Sequence, residues 1–251
     1  MSSLRIALVS EGITDFVIIE AALKAILKDK TFILTQLQPE STTPTQPQPE
    51  STTPTQLQPE STTPTLGQGW GGVFRWCRQE LLRNFVLCLN SYIKYFNYDF
   101  LIIHIDCDVA YKSYEDISFT ETQDLGKLPC DRPCPPINNT INELSNVIDS
   151  WLAPICIGSL SILCIPAQSS ESWLAAAIWG QTIPYTPPLH IDECQQIDLD
   201  TNRPKNLKIK KRRIIYEKYT TNIINNWENI KTVCAQANVF ERNIIGILDN
   251  I

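Results

Sequence analysis

The sequence predicts an α/β fold in which a mostly parallel central sheet is flanked by helices. Short runs of aliphatic and β-branched residues alternate with segments that have helical spacing, the order typical of strand–helix–strand units. Residues 100–104 are apolar or aromatic apart from one histidine, as expected for a strand buried on both faces of a parallel sheet. With 251 residues, the chain is long enough to bury a sizeable core.

The first strand–helix unit lies at the N-terminus. Residues 4–9 predict a strand, and the spacing of apolar residues over 16–27 predicts a helix. Gly12 permits a tight turn between the two, and Thr14 or Asp15 is suited to cap the helix. A second strand is predicted over residues 30–37.

A decapeptide repeat follows the second strand. Three copies succeed one another from Gln38, and they contain almost no large apolar residue. Because such a segment cannot form a core, residues 38–66 are expected to be a disordered loop inserted into the domain. The glycine-rich residues 67–72 lack the lysine and the spacing of a P-loop, so we interpret them as a hinge.

Alternating helices and strands continue to about residue 180. The apolar patterns predict helices over 73–89 and 141–152, a loop over 111–124, a strand over 159–165 and a helix capped by Ser169 or Ser170. We therefore assign residues 1–180 to one catalytic domain. Residues 181–251 are predicted to be a basic linker and a helical C-terminal extension, with helices over 214–235 and 239–248.

Carboxylates follow three of the predicted strands. Glu11 comes after the first strand, Asp106 and Asp108 after the central strand, and Glu171 after the next, while Asp15 falls in the first helical turn. The carboxyl ends of parallel strands meet at one edge of a sheet, where ligands bind. Clustered carboxylates repel one another unless a cation lies between them, and oxygen ligands suit Mg²⁺ or Mn²⁺. The sequence therefore predicts a divalent-metal site.

Each of these residues also has a simpler interpretation. Asp15 and Glu171 suit the N-terminal turn of a helix without any function, and Asp-X-Asp occurs in ordinary solvated loops. His104 lies inside the central strand, and we interpret it as a core histidine with satisfied hydrogen bonds. Cys130 and Cys134 are four residues apart, but no second pair follows at the spacing of a zinc finger.

Composition limits the location and the partners. The net charge is −6, no apolar run has membrane-spanning length, and the N-terminus does not resemble a signal peptide. The nine cysteines have no regular spacing; we expect most to be reduced and buried, in a cytoplasmic protein. The only strongly basic run offers phosphate contacts. Its predicted nucleic-acid-binding residues are Lys208, Lys210, Lys211, Arg212 and Arg213.

The order of the acidic motifs resembles the TOPRIM fold. Glu11-Gly-X-Thr-Asp15 follows the first strand, Asp106-X-Asp108 follows a later strand, and a Ser-X-Glu helix start ends at Glu171. Within that superfamily the chain is most similar to small stand-alone proteins related to the OLD-family nucleases. The resemblance covers residues 4–180 without the repeat loop.

The resemblance implies a Rossmann-like sheet whose acids bind one or two Mg²⁺ ions and act on phosphodiester bonds. Glu11 looks like the acid that binds metal or moves a proton, and Asp106 and Asp108 look like the metal-binding pair. Asp15 and Glu171 look like accessory ligands of a second metal. OLD proteins carry an ATPase domain, whereas this chain has no Walker motif, so an ATPase partner would be a separate protein.

The expected function is a Mg²⁺-dependent nuclease, with Mn²⁺ as the alternative ion. DNA is favoured over RNA as substrate, and the setting is a prokaryotic antiviral defence system. The main alternative is a non-catalytic subunit that binds nucleic acid or a protein partner on the same scaffold. A sugar-nucleotide transferase that uses Asp106 and Asp108 is a third hypothesis, but it explains neither Glu11 nor Glu171.

Overall fold

A four-stranded parallel sheet forms the centre of the molecule. The computed structural model describes residues 3–39, 66–79, 88–185, 187–200 and 207–251. The strands run in the order β2-β1-β3-β4, with each neighbouring pair parallel. They are β1 (Leu4–Val9), β2 (Phe32–Gln38), β3 (Phe100–His104) and β4 (Ser161–Cys164). The predicted α/β class and parallel central sheet are confirmed.

Helices connect and cover the strands. Those of the sheet region are α1 (Ile13–Leu27), α2 (Trp70–Cys77), α3 (Leu89–Tyr95), α4 (Asn138–Leu152) and α5 (Glu171–Trp179). The C-terminal region contains α6 (Arg213–Tyr216), α7 (Thr220–Asn225), α8 (Trp227–Val233) and α9 (Ala235–Leu248). Short 3₁₀ helices span Cys107–Tyr111, Tyr114–Ile117 and Glu217–Tyr219. A small antiparallel ribbon pairs β5 (Thr182–Ile183) with β6 (Leu189–His190).

Two apolar clusters cover the two faces of the sheet. Successive side chains of a strand point to opposite faces, so Phe100 and Ile102 enter one cluster while Leu101 and Ile103 enter the other. The first cluster includes α1, α5 and the C-terminal helices, and the second includes α2, α3 and α4. All five residues of β3 have 0% exposure, which confirms the prediction that this strand is buried on both faces.

The C-terminal helices pack directly against the sheet layer. Trp173 of α5 meets Trp227 of α8 edge to face, with ring centroids 5.6 Å apart, and lies 5.8 Å from Phe240 of α9. All three rings belong to the same cluster as β1 and α1. The C-terminal region therefore shares its core with the strands that carry the acidic residues.

Several element boundaries differ from the prediction. The helix predicted over 73–89 ends at Cys77, and part of it (80–87) lies outside the described residues, as does most of the predicted repeat loop (40–65). Gln38, expected in that loop, is instead the buried last residue of β2. The helix predicted over 214–235 is broken at Asn226, whose side-chain amide donates a hydrogen bond to the Ala177 carbonyl. Much of the loop predicted over 111–124 is irregular, apart from the short 3₁₀ turns.

The cysteines only partly match the prediction. Cys134 and Cys194 form a disulfide, so Cys134 is not available with Cys130 as a thiolate ligand for zinc. The other seven are unbonded, and only four of these are buried, so most cysteines are reduced but fewer than half of the nine are buried. Among the described helices, none is long and apolar enough to cross a membrane.

Candidate metal centre

Asp106 lies at the junction of three elements. It lies two residues after the end of β3, and its backbone N–H donates a 2.8 Å hydrogen bond to Oε1 of Glu11, which lies two residues after the end of β1. Its own Oδ1 accepts a 2.9 Å hydrogen bond from the backbone N–H of Ser170, immediately before α5. Because β1 and β3 are neighbouring parallel strands, their carboxyl ends place these two acids side by side.

Asp15 extends this hydrogen-bonded group into α1. It lies in the first turn and is 2% exposed, and its Oδ1 accepts a 2.8 Å hydrogen bond from Oγ of Ser170. The predicted cap by Thr14 or Asp15 is absent, since the N-cap residue is Gly12 and no side chain caps this helix. Ser170 is the N-cap residue of α5, but its side chain does not cap the helix. Its hydroxyl instead donates a hydrogen bond to Asp15.

His104 is the least expected member of the group. It is fully buried at the end of β3, as predicted for a core residue. However, neither ring nitrogen has a hydrogen-bond partner among the described residues, so the expectation of a satisfied histidine is wrong. Its Nε2 lies 3.5 Å from Oδ1 of Asp106, and one ligand atom each from Asp15, His104 and Asp106 lie within 4.8 Å of one another. This buried trio could hold a metal ion.

Asp108 reaches the site by a different route from the one predicted. The chain leaves β3 and enters a 3₁₀ turn at Cys107, so strand alternation does not orient Asp108. Asp108 nevertheless lines the same cavity as Asp106, and its Oδ2 accepts a 3.0 Å hydrogen bond from Nε2 of Gln196. It is less buried than Asp106.

Glu171 is paired with a cation from the basic run. Its Oε1 lies 2.7 Å from Nζ of Lys211 and accepts a 3.2 Å hydrogen bond from the Tyr216 hydroxyl. Burial alone would raise the pKa of Glu171, but the Lys211 charge and hydrogen bond hold it below its ordinary value. Partial burial would lower the pKa of Lys211, but the charges of Glu171, Asp15 and Asp106 raise it above its ordinary value. Lys211 therefore stays charged inside the acidic cluster.

Two of the other four basic residues in the run form ion pairs with acids. Lys208 pairs with Asp200 at 3.0 Å and Arg213 pairs with Glu217 at 2.8 Å, while Lys210 and Arg212 are exposed. The five predicted phosphate-binding residues are therefore not one uniform surface. Lys211 belongs to the candidate metal centre, and the others lie on the chain that borders it.

Among the residues that the structure describes, Glu11, Asp106 and Asp108 lack a cation that would fully compensate their negative charge. Burial, then Asp15 and Glu11, raise the pKa of Asp106 well above its ordinary value. Burial and the charge of Asp15 raise the pKa of Glu11 to about 8, although the Asp106 amide opposes the shift. Burial also raises the pKa of Asp108. These shifts indicate a site that lacks positive charge, which a bound divalent cation would supply.

Two hollows meet at the acidic cluster. The first, of about 290 Å³, is lined by Asp106, Asp108, Glu171 and Lys211 together with residues 196–200. The second, of about 360 Å³, contains Glu11, Asp15, Gln68 and Gly69, and it shares Asp106 and Lys211 with the first. In the second, the Gly69 amide donates a 2.8 Å hydrogen bond to the Glu11 carbonyl, so the glycine-rich segment forms one wall.

The sequence did not reveal the wall formed by residues 196–200. This segment has no periodic apolar pattern, and the sequence predicts that it is part of a linker. It is anchored near the site by the disulfide between Cys134 and Cys194, and the Cys194 carbonyl accepts a 3.5 Å hydrogen bond from Gln168. The only sequence signal for it was the presence of Cys194 itself, without any indication of its partner.

Comparisons with models of known protein families, with curated proteins and with solved structures found no match for this chain. The functional interpretation therefore depends on the geometry of the site.

Proposed function

We propose that the chain is a divalent-metal-dependent phosphodiester hydrolase of the TOPRIM type that acts on nucleic acid. The observation that carries the proposal is the hydrogen-bonded series from Glu11 through Asp106 and Ser170 to Asp15. It brings together acids from the end of β1, the end of β3 and the beginning of α1, in the order that the TOPRIM resemblance implies. Glu171, at the start of α5, completes the arrangement.

The donor set fits a divalent cation. Asp15, Asp106 and Glu171 are each at most 6% exposed, and carboxylates this buried require a compensating charge. Lys211 compensates Glu171, but Asp106 and Glu11 keep raised pKa values in the metal-free protein. Asp15, Asp106 and His104 would hold the ion, with Glu11 and Asp108 at the borders of the same space.

The protein groups have separable roles in such a reaction. A bound Mg²⁺ or Mn²⁺ supplies Lewis acidity toward a phosphate oxygen and lowers the pKa of water. The Asp106 amide holds the Glu11 carboxylate beside the metal site, where Glu11 can accept a proton. Lys211 lies where the two hollows meet, so its ammonium can contact an anionic phosphate while it orients Glu171.

The surroundings favour a polyanionic substrate over a small neutral one. Lys210 and Arg212 are exposed and flank Lys211, which lines both hollows, so this segment offers further cations to a phosphate chain. DNA is the proposed substrate, with a separate ATPase as the proposed partner in a defence system. A binding subunit without catalysis is the competing function, and the assay below distinguishes the two.

Cleavage assays test the proposal. Supercoiled plasmid, single-stranded DNA and RNA are incubated with the wild type in Mg²⁺, in Mn²⁺ or in chelator. We expect metal-dependent cleavage that falls at least 100-fold in Asp106→Asn, because the replacement keeps the shape and hydrogen-bond acceptor but removes the charge. Asp149→Asn is the matched control, since Asp149 is exposed on α4 and borders neither hollow.

Two results would contradict the hydrolase. Nucleic-acid binding without cleavage by the folded protein in either metal would favour the binding subunit. Cleavage that survives in Asp106→Asn would mean that the reaction takes place elsewhere or comes from a contaminant.

A further inference from the structure

His104 is a buried polar residue whose hydrogen-bonding capacity is unused. It has 0% exposure, and both Nδ1 and Nε2 lack hydrogen-bond partners among the described residues. Buried polar groups are nearly always satisfied, so an exception in the middle of a functional site requires an explanation. A ligand that binds to the ring would provide one.

The position of the ring identifies the kind of ligand. Nε2 is 3.5 Å from Oδ1 of Asp106, and one ring nitrogen lies within 4.8 Å of a carboxylate oxygen of Asp15 and of Asp106. Ser170 holds both carboxylates in place through its backbone amide and its hydroxyl. Three fixed donors that converge on one buried point, one nitrogen and two oxygens, are the arrangement of a metal site.

The nitrogen donor determines which metal fits best. Mg²⁺ prefers oxygen ligands and waters, whereas imidazole is a common ligand of divalent transition metals. A site made only of Glu11, Asp15, Asp106, Asp108 and Glu171 would be an all-oxygen site with no such preference. Addition of His104 changes the class of ion that the site selects.

We propose that Nε2 of His104 binds the metal directly, together with Asp15 and Asp106, and that the site selects a divalent transition metal over Mg²⁺. Mn²⁺ is the probe for this preference because it also suits carboxylates. The inference rests on the metal site of the proposed function but does not depend on its hydrolytic chemistry. His104 thereby acts as a specificity-determining ligand.

Electron spin echo spectroscopy of Mn²⁺ bound to the wild type tests direct ligation. The chain contains only two histidines, His104 and His190. In protein labelled with ¹⁵N-histidine, any ¹⁵N coupling to the bound Mn²⁺ must therefore come from one of these two residues. His190 is exposed on β6, and its Nδ1 contacts the Gln181 carbonyl. We expect ¹⁵N coupling in the wild type and in His190→Asn, and its loss in His104→Asn.

Competition between the metals gives a second readout. Free Mn²⁺ is measured by electron spin resonance while Mg²⁺ is added, which yields the ratio of the two dissociation constants. We expect the preference for Mn²⁺ to fall at least tenfold in His104→Asn and to stay unchanged in His190→Asn. Circular dichroism and thermal unfolding show whether each variant is folded, and the coupling measurement on the labelled wild type needs no variant.

Three results would overturn the inference. These are no nitrogen coupling to bound Mn²⁺, no Mn²⁺ binding at all, and an unchanged metal preference in folded His104→Asn. If coupling is absent while metal-dependent cleavage persists, the hydrolase stands and His104 only contacts Asp106. If coupling is present without cleavage, the inference stands and the hydrolase fails.

Discussion

The backbone amide of Asp106 donates a 2.8 Å hydrogen bond to the carboxylate of Glu11, 95 residues earlier in the chain. The bond joins the ends of β1 and β3, which pair in parallel up to Val9 and Ile103. It fixes the first acid of the site against the backbone of the second. Parallel pairing thus determines the spacing of the acids before any metal binds.

Replacement of Glu11 separates its structural role from its charge. Glu11→Gln retains an oxygen that accepts from the Asp106 amide and removes the cost of ionising a buried acid, so we expect an unfolding free energy at neutral pH at least equal to that of the wild type. Cleavage should nevertheless fall at least 100-fold. Glu11→Ala leaves that amide without its partner, so its unfolding free energy should be about 1–3 kcal/mol lower than that of Glu11→Gln. Urea unfolding and initial cleavage rates measure both effects, and an active Glu11→Gln would refute the catalytic role.

The metal-free protein should lose stability as pH rises from 6.5 to 8. The pKa of Glu11 is raised from 4.5 to about 8, and that of Asp106 is also raised, so the folded state binds more protons than the unfolded state in this range. Each excess proton gives a slope of about 1.4 kcal/mol per pH unit. Burial lowers the pKa of His104, so its contribution to the slope has the opposite sign and fades as the pH rises above 6.5, the ordinary pKa of histidine.

Urea unfolding in chelator at several pH values measures this slope. Glu11→Gln should reduce the slope by up to about 1.4 kcal/mol per pH unit. Glu143→Gln on α4, whose carboxylate pairs with Arg132 and borders neither hollow, should leave the slope unchanged. If the unfolding free energy instead rises with pH in this range, the pKa values of Glu11 and Asp106 are not raised in the folded protein.

The ion pair of Lys211 should matter more than that of Lys208. Glu171 has a side chain only 8% exposed, so Lys211→Met leaves a nearly buried carboxylate without its cation, and we expect a loss of about 2 kcal/mol. This loss is smaller than the loss expected for a fully buried ion pair, because the Lys211 side chain is 53% exposed. Lys208→Met breaks a surface pair with Asp200 and should cost less than about 1 kcal/mol. Equal losses in urea unfolding would place Glu171 at the surface.

Nucleic-acid affinity should depend on salt through the exposed cations. Lys210 and Arg212 are exposed on the segment that borders the site. If both contact phosphates, the double variant Lys210→Gln, Arg212→Gln should reduce the slope of log affinity against log salt by about 1.4 to 1.8. Fluorescence anisotropy in chelator measures binding without cleavage. An unchanged slope would remove this segment from the nucleic-acid interface.

The strands and the positions of the acids could be predicted from the local sequence pattern, but the residues that contact these acids could not. The apolar run of β1 and the uninterrupted burial of β3 follow from residue type, and parallel pairing then brings Glu11 and Asp106 to one edge. The same pattern identifies His104 only as a core position. Whether its ring nitrogens find partners depends on residues distant in the sequence.

The wall that residues 196–200 form along the first hollow shows a second limit of prediction from sequence. Gln196 binds Asp108, and Cys194 is bonded to Cys134 at a sequence separation of 60. Neither contact leaves a periodic signal, because the segment is irregular and its position is fixed by long-range bonds. The basic run is a related case, since its charge was evident but the pairing of Lys211 with Glu171 was not.

The central claim is that these carboxylates form one cation site, and thermal unfolding with Mn²⁺ tests it most directly. At about one hundred times its dissociation constant, the ion should stabilise the wild type by about 2.7 kcal/mol. This corresponds to a rise in Tm of roughly 5–10 °C for a protein of this size. We predict the same rise in Asp149→Asn and a rise below about 2 °C in folded Asp106→Asn. Equal stabilisation of Asp106→Asn and Asp149→Asn would contradict the claim.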